Sequence, residues 1–238
     1  VAGPLPPALP CALPIAPRLR PAYMGVSPCP WSIRMTLFPP LTASHPATMG
    51  EEDGSALPGA MLAKFLEART VLLFGGVDQK LAERVTAQLL YLDHLSHDPI
   101  KIFINSPGGH VESGDSIHDV IGFIGSPVAV IGTGWVASIA THIFLSVDQK
   151  QRFCLPNTRF LIHQPSGGAG GKASDIAIQA KEIVKMRERI ARKIADATGQ
   201  PVDRVLKDID RDYWMSTDEA KDYGILGTVI DSAKEVTF

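Results

Sequence analysis

The apolar positions of this chain follow two different periods from about position 70 onward. Short β-branched runs alternate with longer stretches in which apolar residues recur every three or four positions, which indicates strands alternating with helices. Strands are predicted at 70–74, 100–104, 128–131, 152–154, 159–162 and 226–230, and helices at 79–95, 113–124, 139–147, 173–198, 201–207 and 218–223. This alternation predicts an α/β fold with a largely parallel sheet.

Polar caps and glycines indicate where several of these helices begin and end. Asp78 and Thr217 are expected to cap the helices that follow them, because a short polar side chain accepts a hydrogen bond from the first helical turn. Gly199 is expected to end the long helix at 173–198. The glycine-rich run at 166–171 is expected to be flexible or extended. The apolar side of the helix after Asp78 is expected to comprise Leu81, Val85, Leu89, Leu90 and Leu92.

The first 48 residues differ in composition from the rest of the chain. They hold 12 of the 19 prolines and no Asp or Glu, so disorder is expected over 1–48. Prolines interrupt the first apolar run, which excludes a secretory signal. Two interpretations stay open, an organellar transit segment and, as the preferred one, a start site placed too far upstream, the true start being Met35, Met49 or Met61. A flexible lead-in is expected at 49–65 and a folded domain at 66–238.

The composition excludes several classes of protein. A formal net charge of -2 over 238 residues, without a basic block, gives no support to nucleic-acid binding. Cys11, Cys29 and Cys154 are too scattered for a disulfide framework or a zinc site, so no metal is expected and a reducing compartment is favoured. The run 127–147 has no formal charge, but its glycines and polar residues favour a buried strand, turn and helix over a membrane span.

Ser138 lies at the predicted junction between a strand and the helix at 139–147, among small residues. A serine there exposes its hydroxyl near the positive end of the helix dipole, which suits a nucleophile. Small residues also occur at such junctions for packing alone, so both interpretations stay open. Similarly, Gly108 and Gly109 follow a strand and precede a helix. Their turn either directs amide groups at an anion or is an ordinary tight turn.

A serine nucleophile requires a base and an acid that orients the base. Among the seven histidines, His163 suits the role of base best, because it ends a hydrophobic strand beside the glycine-rich run. A core histidine satisfied by hydrogen bonds is the other interpretation of this residue, and both stay open. His142 follows Ser138 by one helical turn and is expected to pack beside it without contacting its hydroxyl. These physical arguments do not choose an acid from the cluster Asp208, Asp210 and Asp212.

Five segments carry a resemblance to a known family. They are Asn105-Ser-Pro-Gly-Gly109, Ala137-Ser-Ile139, Arg152-Phe-Cys-Leu-Pro-Asn157, Ile162-His-Gln-Pro165 and Asp210-Arg-Asp212. Together they resemble the signature segments of the proteolytic subunit of the ATP-dependent Clp protease, in the family's order and with matching spacing. Ser138 and His163 are 25 positions apart, and His163 and Asp212 are 49 apart. The resemblance covers about 66–234, and five linked segments are far more specific than one motif.

The resemblance implies a serine endopeptidase that cleaves unfolded proteins and peptides. In it, Ser138 would be the nucleophile, His163 the general base and Asp212 the acid that orients the imidazole. The backbone N–H groups of Gly109 and Ile139 would form the oxyanion hole. The implied fold is the family's crotonase-like α/β spiral of βαβ units with a long handle helix.

The resemblance also implies an assembly. The handle helix, about 173–198, would join two heptameric rings into a barrel, with Asp210 and Arg211 at the contact between the rings. The run at 166–171 would line the substrate channel, and a Clp-family AAA+ ATPase would feed unfolded chains into it. ATP would be used by that partner, so this chain is expected to need no cofactor. The expected location is the cytoplasm, or the mitochondrial matrix or plastid if 1–48 is a transit segment.

The chain departs from the family pattern at a few positions. Lys101 and Phe103 replace an aromatic pair in the strand that helps form the ATPase-docking pockets. Trp135 replaces a smaller or polar residue and is expected to alter packing near the S1 pocket without removing activity. Two other functions stay open: a non-catalytic ring subunit of a mixed complex, and a crotonase-like acyl-CoA enzyme, a class that lacks this Ser–His–Asp spacing.

Overall fold

The computed structural model describes residues 58–168 and 170–238, and the tail predicted to be disordered at 1–48 lies outside them. The helices are α1 (Gly59–Glu67), α2 (Gln79–Leu95), α3 (Val111–Phe123), α4 (Ile139–Phe144), α5 (Ala173–Thr198), α6 (Val202–Asp208) and α7 (Thr217–Tyr223). The strands are β1 (Thr70–Phe74), β2 (Ile100–Ser106), β3 (Val128–Ala137), β4 (Arg152–Cys154), β5 (Arg159–Ile162), β6 (Tyr213–Met215) and β7 (Thr228–Val229). Two short 3-10 helices span Gln149–Gln151 and Ala233–Glu235.

Five parallel strands follow one another across the sheet in the order β1, β2, β3, β4 and β7. The last residues of β3 pair with β5 instead of β4, so that Trp135 lies opposite Arg159. β5 in turn pairs with β6 in the antiparallel direction. The predicted α/β fold with a largely parallel sheet is confirmed. Because β3 divides its pairing between β4 and β5, the end of β5 comes to lie beside Ser138.

Every second residue of β2 is fully buried, and three of these residues are the isoleucines Ile100, Ile102 and Ile104. They belong to one core cluster with the inward faces of α2 and α3. The prediction for the apolar side of α2 was wrong at Leu90. This residue is 45% exposed, while Leu89 is fully buried. Consecutive helical residues point about 100° apart, so both leucines cannot face the same core.

Several predicted boundaries also need correction. α1 begins at Gly59, inside the segment at 49–65 that was expected to be flexible. β3 extends to Ala137 instead of ending at 131, because pairing with β4 and β5 holds a glycine-containing stretch that has no strand-like apolar pattern. α4 ends at Phe144 rather than 147, with the Leu145 amide bonded to the carbonyls of both Thr141 and His142.

The C-terminal part of the chain differs from prediction in its caps and strands. Ser216, and not Thr217, caps α7, because the Ser216 side chain accepts a hydrogen bond from the Glu219 amide and the Glu219 side chain bonds back to Ser216. β6 was not predicted; it exists through its pairing with β5. β7 covers only two residues of the predicted strand at 226–230.

The long helix α5 has the predicted bounds, and Gly199 ends it in the left-handed conformation with φ of 74°. Only its C-terminal half is buried, through Ile190, Ala191, Ile194 and Ala195. Its N-terminal half leaves apolar side chains in solvent, including Ile178, which is 57% exposed. Among the described residues, no helix combines the length and the apolar character that crossing a bilayer requires.

Candidate active site

Ser138 stands between β3 and α4 in a backbone conformation that L residues rarely adopt, with φ of 58° and ψ of -124°. A residue with a side chain is strained in this backbone conformation. Hydrogen bonds from the surrounding residues hold Ser138 in it. The Ser138 amide donates to the carbonyl of Leu161 at 2.9 Å. One turn later, the Thr141 hydroxyl bridges the carbonyls of Val136 and Leu161, at 2.8 Å from each. The turn therefore presents the serine hydroxyl at the start of a helix.

His163 follows β5 directly, and its ring is the nearest base to that hydroxyl. Its Nε2 lies 2.7 Å from the Ser138 Oγ. The next residue fixes the chain, because the Gln164 amide donates to the Ile209 carbonyl at 2.6 Å. The sequence-based pairing of a strand-end histidine with Ser138 thus corresponds to a direct contact in the folded chain.

Asp212 is the acid that reaches His163, with its Oδ1 2.9 Å from the ring Nδ1. Since a carboxylate only accepts hydrogen bonds, Nδ1 carries the proton and Nε2 is free to accept from the serine. Asp208 instead accepts a bond from the Tyr223 hydroxyl at 3.0 Å. Asp210 lies 3.7 Å from the guanidinium of Arg187. Tertiary structure therefore makes the choice among the three aspartates that the sequence left open.

The glycine pair lies against the serine. Gly108 and Gly109 both have positive φ, 94° and 152°. A Cβ on Gly108 would stand 2.6 Å from the Ser138 Cβ, and a Cβ on Gly109 would collide with the Val77 carbonyl. Both positions therefore require glycine. The Val77 backbone holds the loop by accepting from the His110 amide at 2.7 Å and donating to the Gly108 carbonyl at 2.8 Å.

Ile139, the other residue expected at an oxyanion hole, is the first residue of α4. The first amides of a helix have no partner within it, so this N–H is available at the position next to Ser138. Gly108, which precedes Gly109, and Ile139 thus lie beside the serine from two separate elements, the loop after β2 and the start of α4.

A small apolar pocket adjoins Ser138 and His163. It is lined by Val111, Ser138, Ile139, His142, Ile162, His163, Pro165, Ile190 and Ile194. Trp135, which was expected to alter packing near this pocket, is not part of its lining. Its ring stacks instead on Trp214 at 6.5 Å between centroids.

His142 lines the pocket and also contacts a polar group of residues that sequence reasoning missed. Its Nε2 lies 3.2 Å from Asp115, and its ring stacks on that of His118 at 4.4 Å between centroids. Burial by itself would raise the pKa of Asp115, but hydrogen bonds from His142 and Arg189 outweigh it and lower that pKa to about 2. No sequence motif marks this group, because its members come from α3, α4 and α5 and meet only through packing.

The remaining predicted residues lie at the surface. Asp210 and Arg211 are exposed and line an open cleft with His163 and Asp212. Cys154 is buried, and burial raises the pKa of its thiol to about 12, so it is no candidate nucleophile. Within the described part of the chain, no three His, Cys, Asp or Glu side chains group together as metal ligands.

Comparison with known proteins shows which family this chain belongs to. The family model described as Clp protease matches residues 57–233. The chain is 53% identical over 174 residues to ATP-dependent Clp protease proteolytic subunit 3 of Rhizobium meliloti (strain 1021), covering 73% of this chain and 89% of that protein. It is also 53% identical over 199 residues to proteolytic subunit 2 of Gluconobacter oxydans (strain 621H), covering 82% and 89% respectively.

Solved structures agree with the predicted fold. ClpP1 from Listeria monocytogenes matches with a TM-score of 0.68 and 51% identity, over 74% of this chain and 99% of that one. A mutant of the same protein matches with a TM-score of 0.70 and 52% identity, with the same coverage. These matches confirm the crotonase-like α/β fold and the resemblance that the five sequence segments indicated. The chain belongs to the Clp protease family, as a proteolytic subunit.

Proposed function

We propose that this chain is a serine-type endopeptidase in which Ser138, His163 and Asp212 form the catalytic triad. One observation carries the proposal: a continuous line of hydrogen bonds runs from Asp212 through His163 to Ser138, with lengths of 2.9 and 2.7 Å. This is the arrangement that activates a weakly nucleophilic hydroxyl. Membership of a family of proteolytic subunits supports the same chemistry.

The proposed reaction has two halves. Ser138 Oγ attacks the peptide carbonyl carbon while His163 Nε2 takes its proton, and the Asp212 carboxylate stabilises the imidazolium. The negative oxygen of the tetrahedral intermediate accepts bonds from the amides of Gly109 and Ile139. The C–N bond then breaks, the leaving amine takes the proton from His163, and an ester on Ser138 remains. Water attacks this ester with His163 again as base, releasing the new carboxyl end and restoring the serine.

We further propose that the chain works as two stacked heptameric rings. The apolar side chains that the N-terminal half of α5 leaves exposed support a contact with another copy. Asp210 and Arg211 are accessible for the ring-to-ring contact. The "ATP-dependent" in the names of the relatives supports an ATPase partner that delivers unfolded protein and uses the ATP. The scattered cysteines favour the cytoplasm.

A fluorophosphonate probe and a fluorogenic peptide test the proposal together. We expect the probe to label Ser138 in the assembled protein, and Ser138→Ala to abolish both labelling and cleavage while native mass spectrometry shows the same assembly. Ser116→Ala is the matched control, since Ser116 is an exposed serine on α3, and it should behave as the wild type. Labelling of another residue, or cleavage that survives Ser138→Ala, would contradict the proposal.

Two alternative functions would give different outcomes in the same experiment. An unlabelled chain that is inactive alone but accompanies an active related subunit would be a non-catalytic ring member. Turnover of acyl-CoA thioesters without peptide cleavage would indicate the crotonase-like enzyme.

A further inference from the structure

The pocket beside Ser138 is apolar except for His142 and the two catalytic side chains. Its walls come from Val111, Ile162, Ile190 and Ile194. A substrate side chain that flanks the scissile bond would enter it. Because Ser138 itself lines the pocket, and the residue before the scissile bond (P1) stays attached to Ser138 in the ester intermediate, we take the pocket as the P1 site.

His142 is the polar residue of this pocket that the proposed mechanism does not use. It is buried, with 4% of its surface exposed. Its Nδ1 has no hydrogen-bond partner within residues 58–168 and 170–238. A buried polar atom that loses its water without gaining a partner costs free energy, and native proteins rarely leave one unpaired. An unpaired nitrogen in a substrate pocket is therefore a candidate contact for the substrate.

The neighbours of His142 determine which ring nitrogen carries the proton. Nε2 faces Asp115 at 3.2 Å, and a carboxylate can only accept, so Nε2 holds the hydrogen. Arg189 donates to the other oxygen of Asp115 at 2.7 Å, which holds the carboxylate in its ionised form. The ring of His118 lies flat against that of His142. In an imidazole whose only hydrogen is on Nε2, Nδ1 is an acceptor.

The distance from Ser138 to His142 limits which substrate side chains can contact Nδ1. Ser138 and His142 are four residues apart on a helical turn, which separates them by about 6 Å along the axis. A side chain attached next to the attacked carbonyl must extend over that distance and end in a donor. Glutamine has this length and an N–H₂ group at its tip. Methionine has the same length without a donor, and glutamate ends in acceptors only.

We propose that His142 is a specificity-determining residue whose Nδ1 accepts a hydrogen bond from the P1 side chain, with glutamine as the preferred residue of its size. This inference rests on the proposed peptidase function. It predicts that the pocket discriminates among side chains of equal length by whether their terminal group donates a hydrogen bond. The apolar walls of the pocket alone would not make this distinction.

The test uses three fluorogenic peptides that differ only at P1, carrying Gln, Met or Glu, and the assembled full-length protein. We expect the wild type to cleave the Gln peptide with a kcat/KM about tenfold or more above that of the Glu peptide. In His142→Leu, the Gln-to-Met ratio of kcat/KM should fall about tenfold. His94→Leu is the control, because His94 is exposed near the end of α2; its ratio should equal that of the wild type.

An unchanged Gln-to-Met ratio in His142→Leu overturns the inference. If that variant does not assemble, the wild-type protein alone provides the test. A Gln-to-Glu ratio of kcat/KM near one in the wild type then overturns the inference. A second peptide set varied after the scissile bond checks the site: a preference found there and not at P1 contradicts the P1 assignment. If no peptide is cleaved and the probe does not label Ser138, the proposed function itself is refuted. If the peptides are cleaved with a preference that does not change in His142→Leu, only this inference is refuted.

Discussion

Arg189 of the long helix α5 donates a 2.7 Å hydrogen bond to Asp115 of α3. The other carboxylate oxygen of Asp115 lies 3.2 Å from His142, one turn after Ser138. The helix proposed to join the rings is therefore connected by two polar contacts to the floor of the pocket. A displacement of α5 at Arg189 would therefore change the surroundings of Asp115, the partner of His142.

Asp115→Asn should destabilise the fold in a pH-dependent way. The folded-state pKa of about 2 lies below the ordinary value of 3.8, so the ionised group adds up to about 2 kcal/mol to the free energy of unfolding. This contribution is complete above pH 3.8 and is lost as the pH falls toward 2. Urea unfolding at one protein concentration should show a large gap between wild type and variant at pH 7 and a smaller gap at pH 3.

The neighbouring Asp119 provides the control for that measurement. Its side chain is 77% exposed, so Asp119→Asn should change stability by less than about 0.5 kcal/mol. A gap for Asp115→Asn that stays constant from pH 7 to pH 3 would mean that the carboxylate charge is not what stabilises the fold.

Asp212→Asn should reduce kcat by a factor of about 10²–10⁴ with assembly preserved, because an amide no longer holds the His163 ring in the tautomer that accepts the serine proton. Asp208→Asn tests the assignment, since it removes a carboxylate four residues away that contacts Tyr223 instead. Peptide hydrolysis should fall in the first variant and stay near wild type in the second. If hydrolysis falls in Asp208→Asn and not in Asp212→Asn, the assignment of Asp212 is wrong.

Gly108→Ala should destabilise the protein by at least about 2 kcal/mol and abolish probe labelling. A Cβ there stands 2.6 Å from the Ser138 Cβ and 2.8 Å from the Ala137 carbonyl oxygen. Gly122→Ala is the opposite case, because nothing lies within 4 Å of the added atom in α3. It should be neutral or stabilising by up to about 1 kcal/mol. Thermal unfolding of the two variants side by side checks both expectations.

Arg152→Lys should cost about 2–3 kcal/mol of stability without touching the triad. Arg152 is 3% exposed, and its guanidinium donates to the carbonyls of Val147, Ala197 and Gly224 at 2.7, 2.9 and 3.2 Å. An ammonium cannot reach all three acceptors from one position. Arg192→Lys, at an exposed position of α5, should have little effect. Equal losses in the two variants would contradict a structural role of the buried guanidinium.

The sequence was sufficient for the features that depend on neighbours along the chain. The bounds of α5 followed from its apolar period and from Gly199, which ends a helix because glycine adopts positive φ without strain. The Asp78 cap likewise followed from a side chain that bonds three residues ahead. His163 was a candidate base because of its place at the end of a strand, and its proposed pairing with Ser138 followed from the family spacing that several separate segments carry.

Tertiary structure alone decided the features that depend on residues far apart in the chain. β6 forms because β5 supplies its hydrogen bonds, and its three residues show no strand period of their own. Asp212 is distinguished by its hydrogen bond to the His163 ring, whereas Asp208 contacts Tyr223 and Asp210 lies near Arg187. Asp115, His142 and Arg189 meet because three helices pack together, and nothing local to any one of them encodes that contact. Short-range propensity acts over about one helical turn, whereas these contacts arise from the packing of the whole core.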